Sequence, residues 1–332
     1  MSSPFSDLYT YSPSEPLAIT GIVLFFLVFV GTITQIIRLR TWCFFPMIIA
    51  ASLEHSGYIS RLLSILYPWN LGTFWTSELS LILAPTFIST TLIILSTRLV
   101  HSSTSPSLLT YRTLWLTPTL VLPLFVVYDF FCFFVQLLGI VTIGIGYIEG
   151  VNRVANGSRL LRIGLVMQIV GYAVILAVAA RFLIVSRNWV KEQSESEEGE
   201  WTKRNVKKPG QWWRLAWVVV GSLGLLMLRA TYRIFEFTTT SASTPSYLQS
   251  HEWLFWAFDT LPVLIVSAVF IVFHPGYYLP REMTTLVFRT KNAEETSKEI
   301  YMRPTDSVSW IGQPLAPHHA EAVPHPYEPR IV

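Results

Sequence analysis

The sequence predicts an all-α polytopic membrane protein with seven transmembrane helices, its N-terminus outside and its C-terminus in the cytosol. Three observations predict it. Of 332 residues, 52% are hydrophobic and only 14% charged, where an average soluble domain carries about 25% charged residues. Seven apolar runs reach the roughly 20 residues that a span needs. Lys and Arg gather on alternate loops, as the positive-inside rule requires of cytosolic ones.

The seven runs cover about 17–37, 42–66, 75–98, 118–139, 160–185, 213–234 and 253–273. The second and sixth carry the most charge. Trp42, Trp69, Trp75, Trp115, Trp189, Trp212, Trp213 and Trp253 collect at their ends, forming the aromatic belts of the two interfaces. Arg38, Arg40, Arg98, Arg112, Arg187, Lys191 and the cations of 203–214 fall on one set of loops, with six more in the tail. The N-terminal segment, 67–74 and 237–252 hold none. The layout is therefore an extracellular segment 1–16, a helical domain 17–275 with a cytosolic loop 186–212, and a polar, Pro-rich tail 276–332 expected to be disordered. The only N-x-[ST] sequon, at Asn156, falls in the 140–159 loop on the outer side, so Asn156 is a candidate glycosylation site. The first 16 residues carry no Lys or Arg, so the first run reads as a retained anchor rather than a cleaved signal. Cys43 and Cys132 lie in apolar runs and read as packing residues.

Candidate functional residues are the charges placed inside the membrane, where an ionised side chain costs roughly 2.5–3.5 kcal/mol on insertion scales. Arg229, Arg233 and Glu236 stand at i, i+4 and i+7, which is one helical stripe. Glu54, Tyr58 and Arg61 repeat that spacing, and Asp129 and Gln136 are seven apart. At 1.5 Å per residue, Glu54 and Asp129 come out near mid-bilayer, and Arg61, Glu78, Gln136, Arg229, Arg233, Glu236 and Asp259 in the outer half. Three cations and five acids in one layer are expected to line a polar cavity open to the outside. Structural pairing accounts for any single residue about as well. No nucleotide-binding loop occurs, the two cysteines have no metal-type spacing, His318, His319 and His325 read as part of an exposed tail rather than as metal ligands, and no metal, cofactor, catalytic residue or nucleic-acid partner is expected. The chain reads as a non-enzyme.

At these residues the chain resembles the fungal lipid-translocating exporters, the resistance-to-aminocholesterol-like proteins. The shared motifs are "EHSGYISR" (Glu54, Gly57, Tyr58, Arg61), "LAPTFIS", "DFFCFFVQLLG" (Asp129, Gln136, Gly139), "GLVMQ" (Gly164, Gln168), "RATYRIFE" (Arg229, Tyr232, Arg233, Glu236) and "HEWLFWAFDTLP…HPG" (Glu252, Asp259, Pro262, His274). They run in order from about residue 10 to 280. The third span departs from the family in reading "STTLIILSTR", and the glycine run after Gln136 is reduced. The resemblance implies a plasma-membrane or internal-membrane protein that translocates amphipathic lipids such as sphingoid bases or toxic sterol-like compounds and confers resistance. The partners implied are such a substrate and the membrane lipids. A seven-helix receptor for an amphipathic ligand fits the same span count. A seven-span zinc hydrolase fits less well, since only His55 and His274 lie in the spans, at different depths.

Overall fold

In this computed structural model the described residues are 9, 12–103, 118–192, 212–238, 247–279 and 281–285. They contain seven long helices and no strand: α1 (Glu15–Leu39), α2 (Phe45–Leu66), α3 (Leu71–Ser103), α4 (Pro118–Glu149), α5 (Val151–Glu192), α6 (Trp212–Thr238) and α7. The last is continuous through Glu252–Phe255, a π-helical turn Trp256–Thr260 and Leu261–Val272. The chain is an all-α polytopic membrane protein. Six of the helices, all but α2, are long and apolar enough to cross a bilayer. α2 carries Glu54 and Arg61, and it packs between α1 and α3.

Local sequence sets the helix ends. Pro16 and Pro46 occupy the first turns of α1 and α2, where the missing N–H costs nothing. Arg40 adopts a left-handed φ of 55° and closes α1. α4 and α5 meet at Gly150, whose φ of +131° is a conformation that L side chains rarely adopt.

Here the structure corrects the sequence reading. The expected outer loop 140–159 is helix on both sides of that single turn. Hydropathy marks where lipid contact fades, not where a helix stops. α4 and α5 continue because their backbones touch. A Cβ built on Gly139 would lie 2.6 Å from the Leu161 nitrogen, and one on Gly157 2.6 Å from the Ile143 nitrogen. Small residues facing one another allow such close approach in membrane helices. Asn156 consequently sits exposed on the second turn of α5 rather than in a loop. The 186–212 loop is helical to Glu192, and its residues 193–211 lie outside the described residues, as do those of the tail from 286.

α3 is the most enclosed helix and α1 the least. On α6, Leu215, Val219, Leu226, Arg229 and Arg233 are buried, while Trp217, Leu228 and Phe235 point outward. The inward stripe is polar at one end and hydrocarbon at the other. That division locates the site.

Candidate functional site

Arg233 is the centre of the charged layer. Its Nε donates to Asp259 Oδ1 at 2.7 Å and its Nη2 to Asp259 Oδ2 at 2.8 Å, a bidentate pair. Its Nη1 reaches Glu236 Oε2 at 2.9 Å and Glu78 Oε2 at 3.3 Å. Arg229 Nε stands 2.9 Å from Asp259 Oδ1 as a charge contact without hydrogen-bond alignment, while its Nη2 donates to the Leu81 carbonyl at 2.6 Å. The π-helical turn of α7 delivers Asp259 to both arginines; such one-turn insertions are frequent at functional sites. Arg233 and Asp259 are 1% and 2% exposed. Instead of lining an open polar space, they close on each other, because desolvated charges need that compensation.

Arg61 forms a second group nearer the end of the bundle that holds Glu15. Its Nη2 meets Glu252 Oε1 at 3.3 Å, and the other Glu252 oxygen accepts from the Ser14 amide at 2.9 Å. Tyr9 donates to Ser64 Oγ at 2.6 Å, since that hydroxyl already donates to the Arg61 carbonyl. Burial raises the Tyr9 phenol above its ordinary pKa. Phe255 joins the two groups: the Arg61 guanidinium lies 4.4 Å and that of Arg233 5.3 Å from its ring centre. Tyr58 stacks on Phe25 at 5.1 Å and bonds Thr260 Oγ1 at 2.5 Å. Glu54, one turn before Tyr58, is buried, and its Oε1 has no hydrogen-bond partner among the described residues.

Asp129 and Gln136 form a third group between α3, α4 and α5. Ser89 and Thr90 both donate to Asp129 Oδ2, at 2.6 and 2.7 Å. Gln136 Nε2 donates to Gln168 Oε1 at 3.0 Å, and Gln168 Nε2 to Thr86 Oγ1 at 3.2 Å. Among the described residues Asp129 makes no salt bridge, so this 4%-exposed carboxylate is met by hydroxyls and not by an arginine.

The structure thus brings Arg229, Arg233, Glu236 and Asp259 together and sets Glu54 and Tyr58 beside them. Arg61 joins through Phe255, and Asp129 and Gln136 stand apart. Glu252, Ser89, Thr90 and Gln168 complete these groups but were not among the expected site residues. Glu252 and Gln168 fall within the motifs quoted above. Ser89 closes the quoted "LAPTFIS" motif, and Thr90 follows it with no signal beyond the lone carboxylate it serves.

A profile of RTA1 like protein matches residues 47–282, which spans every charged side chain of these three groups. The chain belongs to the RTA1 like protein family. It is similar to Protein RTM1 of Saccharomyces cerevisiae, 28% identical over 73% of this chain and 70% of that one. It is equally similar to Protoporphyrin uptake protein 1 of the same yeast, 28% identical over 70% and 68%. It is 23% identical to the yeast Sphingoid long-chain base transporter RSB1 over 82% and 75%. No solved structure matches the chain. Family members with transport names support a membrane transporter-like role in general terms.

Proposed function

We propose that the chain translocates amphipathic lipids bearing a cationic amine, such as sphingoid long-chain bases or toxic sterol-like compounds, and so confers resistance. The observation that carries this reading is Asp129. A buried carboxylate without a basic partner, in a layer where every described arginine is already engaged, is where an incoming ammonium finds its counter-charge. The likeness to a sphingoid base transporter and to a porphyrin uptake protein supports an amphipathic cargo. The reading places the Glu15 end of α1 outside and the chain in the plasma membrane, with no catalytic step, cofactor or nucleic-acid partner.

Purified protein reconstituted in vesicles tests it. A labelled sphingoid base is followed across the bilayer against protein-free vesicles and the Asp129→Asn variant. Asn keeps an oxygen for the Ser89 and Thr90 hydroxyls, so the fold is retained while the charge is lost. Faster crossing that Asp129→Asn abolishes supports the proposal. Absence of acceleration by folded protein sinks it and favours the receptor reading.

A further inference from the structure

Around Arg61, Arg229 and Arg233, four acids take part in ion pairs: Glu78, Glu236, Glu252 and Asp259. Glu54 does not. Among the described residues it makes no ion pair and no hydrogen bond, with 3% of its surface exposed. The two guanidinium groups that face it, those of Arg229 and Arg233, are turned elsewhere. Arg229 goes to Asp259 and the Leu81 carbonyl, and Arg233 to Asp259, Glu236 and Glu78. Three bases are thus already shared among four acids, and no positive charge is left over for Glu54. A carboxyl buried without a base or a hydrogen-bond donor is neutralised by a proton rather than kept as an ion.

The neighbouring helices do not change this balance. α2 packs against α1 and α3. α1 brings Phe25 and Phe26 to this level, against Tyr58 and His55, and its ionisable residues, Glu15 and Arg38, lie in its first and last turns. α3 brings Glu78, held by Arg233, while Arg98 and His101 stand near its far end. α7 brings Asp259. On α2 itself Tyr58 is bonded to Thr260 and Arg61 is held by Glu252.

Asp129 has different surroundings. Two hydroxyls donate to its Oδ2, a setting for a carboxylate, which only accepts. Buried acids with contrasting surroundings divide the roles of proton holder and anion between them. The two sites also sense each other. Tyr172 faces Asp129, Ser89 and Arg229, and Arg229 faces Glu54. A positive charge arriving at Asp129 acts on Glu54 across a dry interior, where charges couple more strongly than in water. Its effect is to favour the ionised form of Glu54.

We propose that Glu54 is a proton-binding site and that an ammonium arriving at Asp129 displaces its proton. The O–H bond of the Glu54 carboxyl breaks, its electron pair stays on the carboxylate, and the proton passes to water. The charge of the bundle is then unchanged, one cation having replaced another. Linkage makes the effect reciprocal: the proton weakens amine binding by the same factor as the amine weakens proton binding. The inference rests on the amine site proposed above and adds what is exchanged for the amine. It also names a driving force, the proton gradient, for a chain without a nucleotide-binding loop.

The test uses the full chain in weakly buffered phosphatidylcholine nanodiscs with a pH-indicator dye, against empty nanodiscs. The probe is tritiated N,N,N-trimethylsphingosine, whose fixed positive charge has no proton of its own to lose. Binding should release about one proton per probe molecule. Because protons compete with the probe, its affinity should weaken as pH falls, by about tenfold per pH unit where release is complete. Glu54→Gln should bind the probe, release no proton and lose that pH dependence. Glu54→Asp, which keeps a titrating carboxyl, should restore the release with the pH profile shifted. A merely structural Glu54 would alter stability in these variants but would release no proton in the wild type. Binding without proton release overturns the inference and leaves the amine site standing. Release that persists in folded Glu54→Gln overturns it too, since the proton then comes from elsewhere. No binding overturns both this inference and the amine site. If Glu54→Gln misfolds, Glu54→Asp decides, and an unshifted profile overturns the proposal.

Discussion

Arg233 and Asp259 are joined by two parallel hydrogen bonds of 2.7 and 2.8 Å across α6 and α7. Breaking a buried pair strands the surviving charge, which costs about 3–5 kcal/mol. Asp259→Asn should therefore lower thermal stability in detergent severely. Glu236→Gln touches the same guanidinium from a side chain 20% exposed and should cost less than about 1 kcal/mol, as partly solvated pairs do. Comparable unfolding temperatures for the two variants would contradict this ordering.

Tyr58 separates packing from hydrogen bonding. Tyr58→Phe keeps the stacking on Phe25 and loses only the bond to Thr260. The expected cost is about 0.5–1.5 kcal/mol. Tyr58→Ala also removes a fully buried ring, for about 3–5 kcal/mol. Thermal unfolding of both variants checks the difference, and equal losses would show that the hydroxyl dominates.

The spacing of Arg229, Arg233 and Glu236 was enough to place them on one inward face, because helical period is written in sequence. The pairing was not. Arg61 takes Glu252, 191 residues away, and nothing local to Arg61 selects it over Glu54 or Glu78. The π-helical turn that aims Asp259 has no compositional mark in "WAFDT". The open polar cavity was expected from counting charges, and it fails because a count omits geometry: one guanidinium meets three carboxylates here. The 140–159 loop failed for a different reason. Helix continues wherever its backbone has a partner, and the partner, α5, comes later in the chain.

That contact makes a sharp prediction. A methyl group on Gly139 or Gly157 meets backbone at 2.6 Å, which cannot give way as a flexible side chain does. Gly139→Ala and Gly157→Ala should each destabilise by about 1–3 kcal/mol, the usual cost of overpacking. Gly221 has nothing within 4 Å of its would-be Cβ, so Gly221→Ala should be neutral or stabilise by up to about 1 kcal/mol through helix propensity. Unfolding temperatures of the three variants decide it. A harmless Gly157→Ala would mean that α4 and α5 are further apart than described.

At the opposite end of the bundle, Arg98 ties the chain after α7 to α3. Its Nη1 donates to the Thr285 carbonyl at 2.7 Å and also to the carbonyl of Met283. Nearby, His274 Nδ1 accepts from the Gly276 amide at 3.2 Å, which leaves Nε2 to donate to Thr41 Oγ1 at 3.4 Å. The two contacts hold the same end through different residues, so they can be tested separately. Arg98→Gln removes the charged fork but leaves the His274 contacts. Amide hydrogen exchange across 281–285 should then accelerate, since local opening follows the loss of local restraint. Exchange in 272–277 and around Arg233 should stay unchanged. Acceleration spread over α3 as well would show that Arg98 supports the helix itself and not only the segment that follows α7.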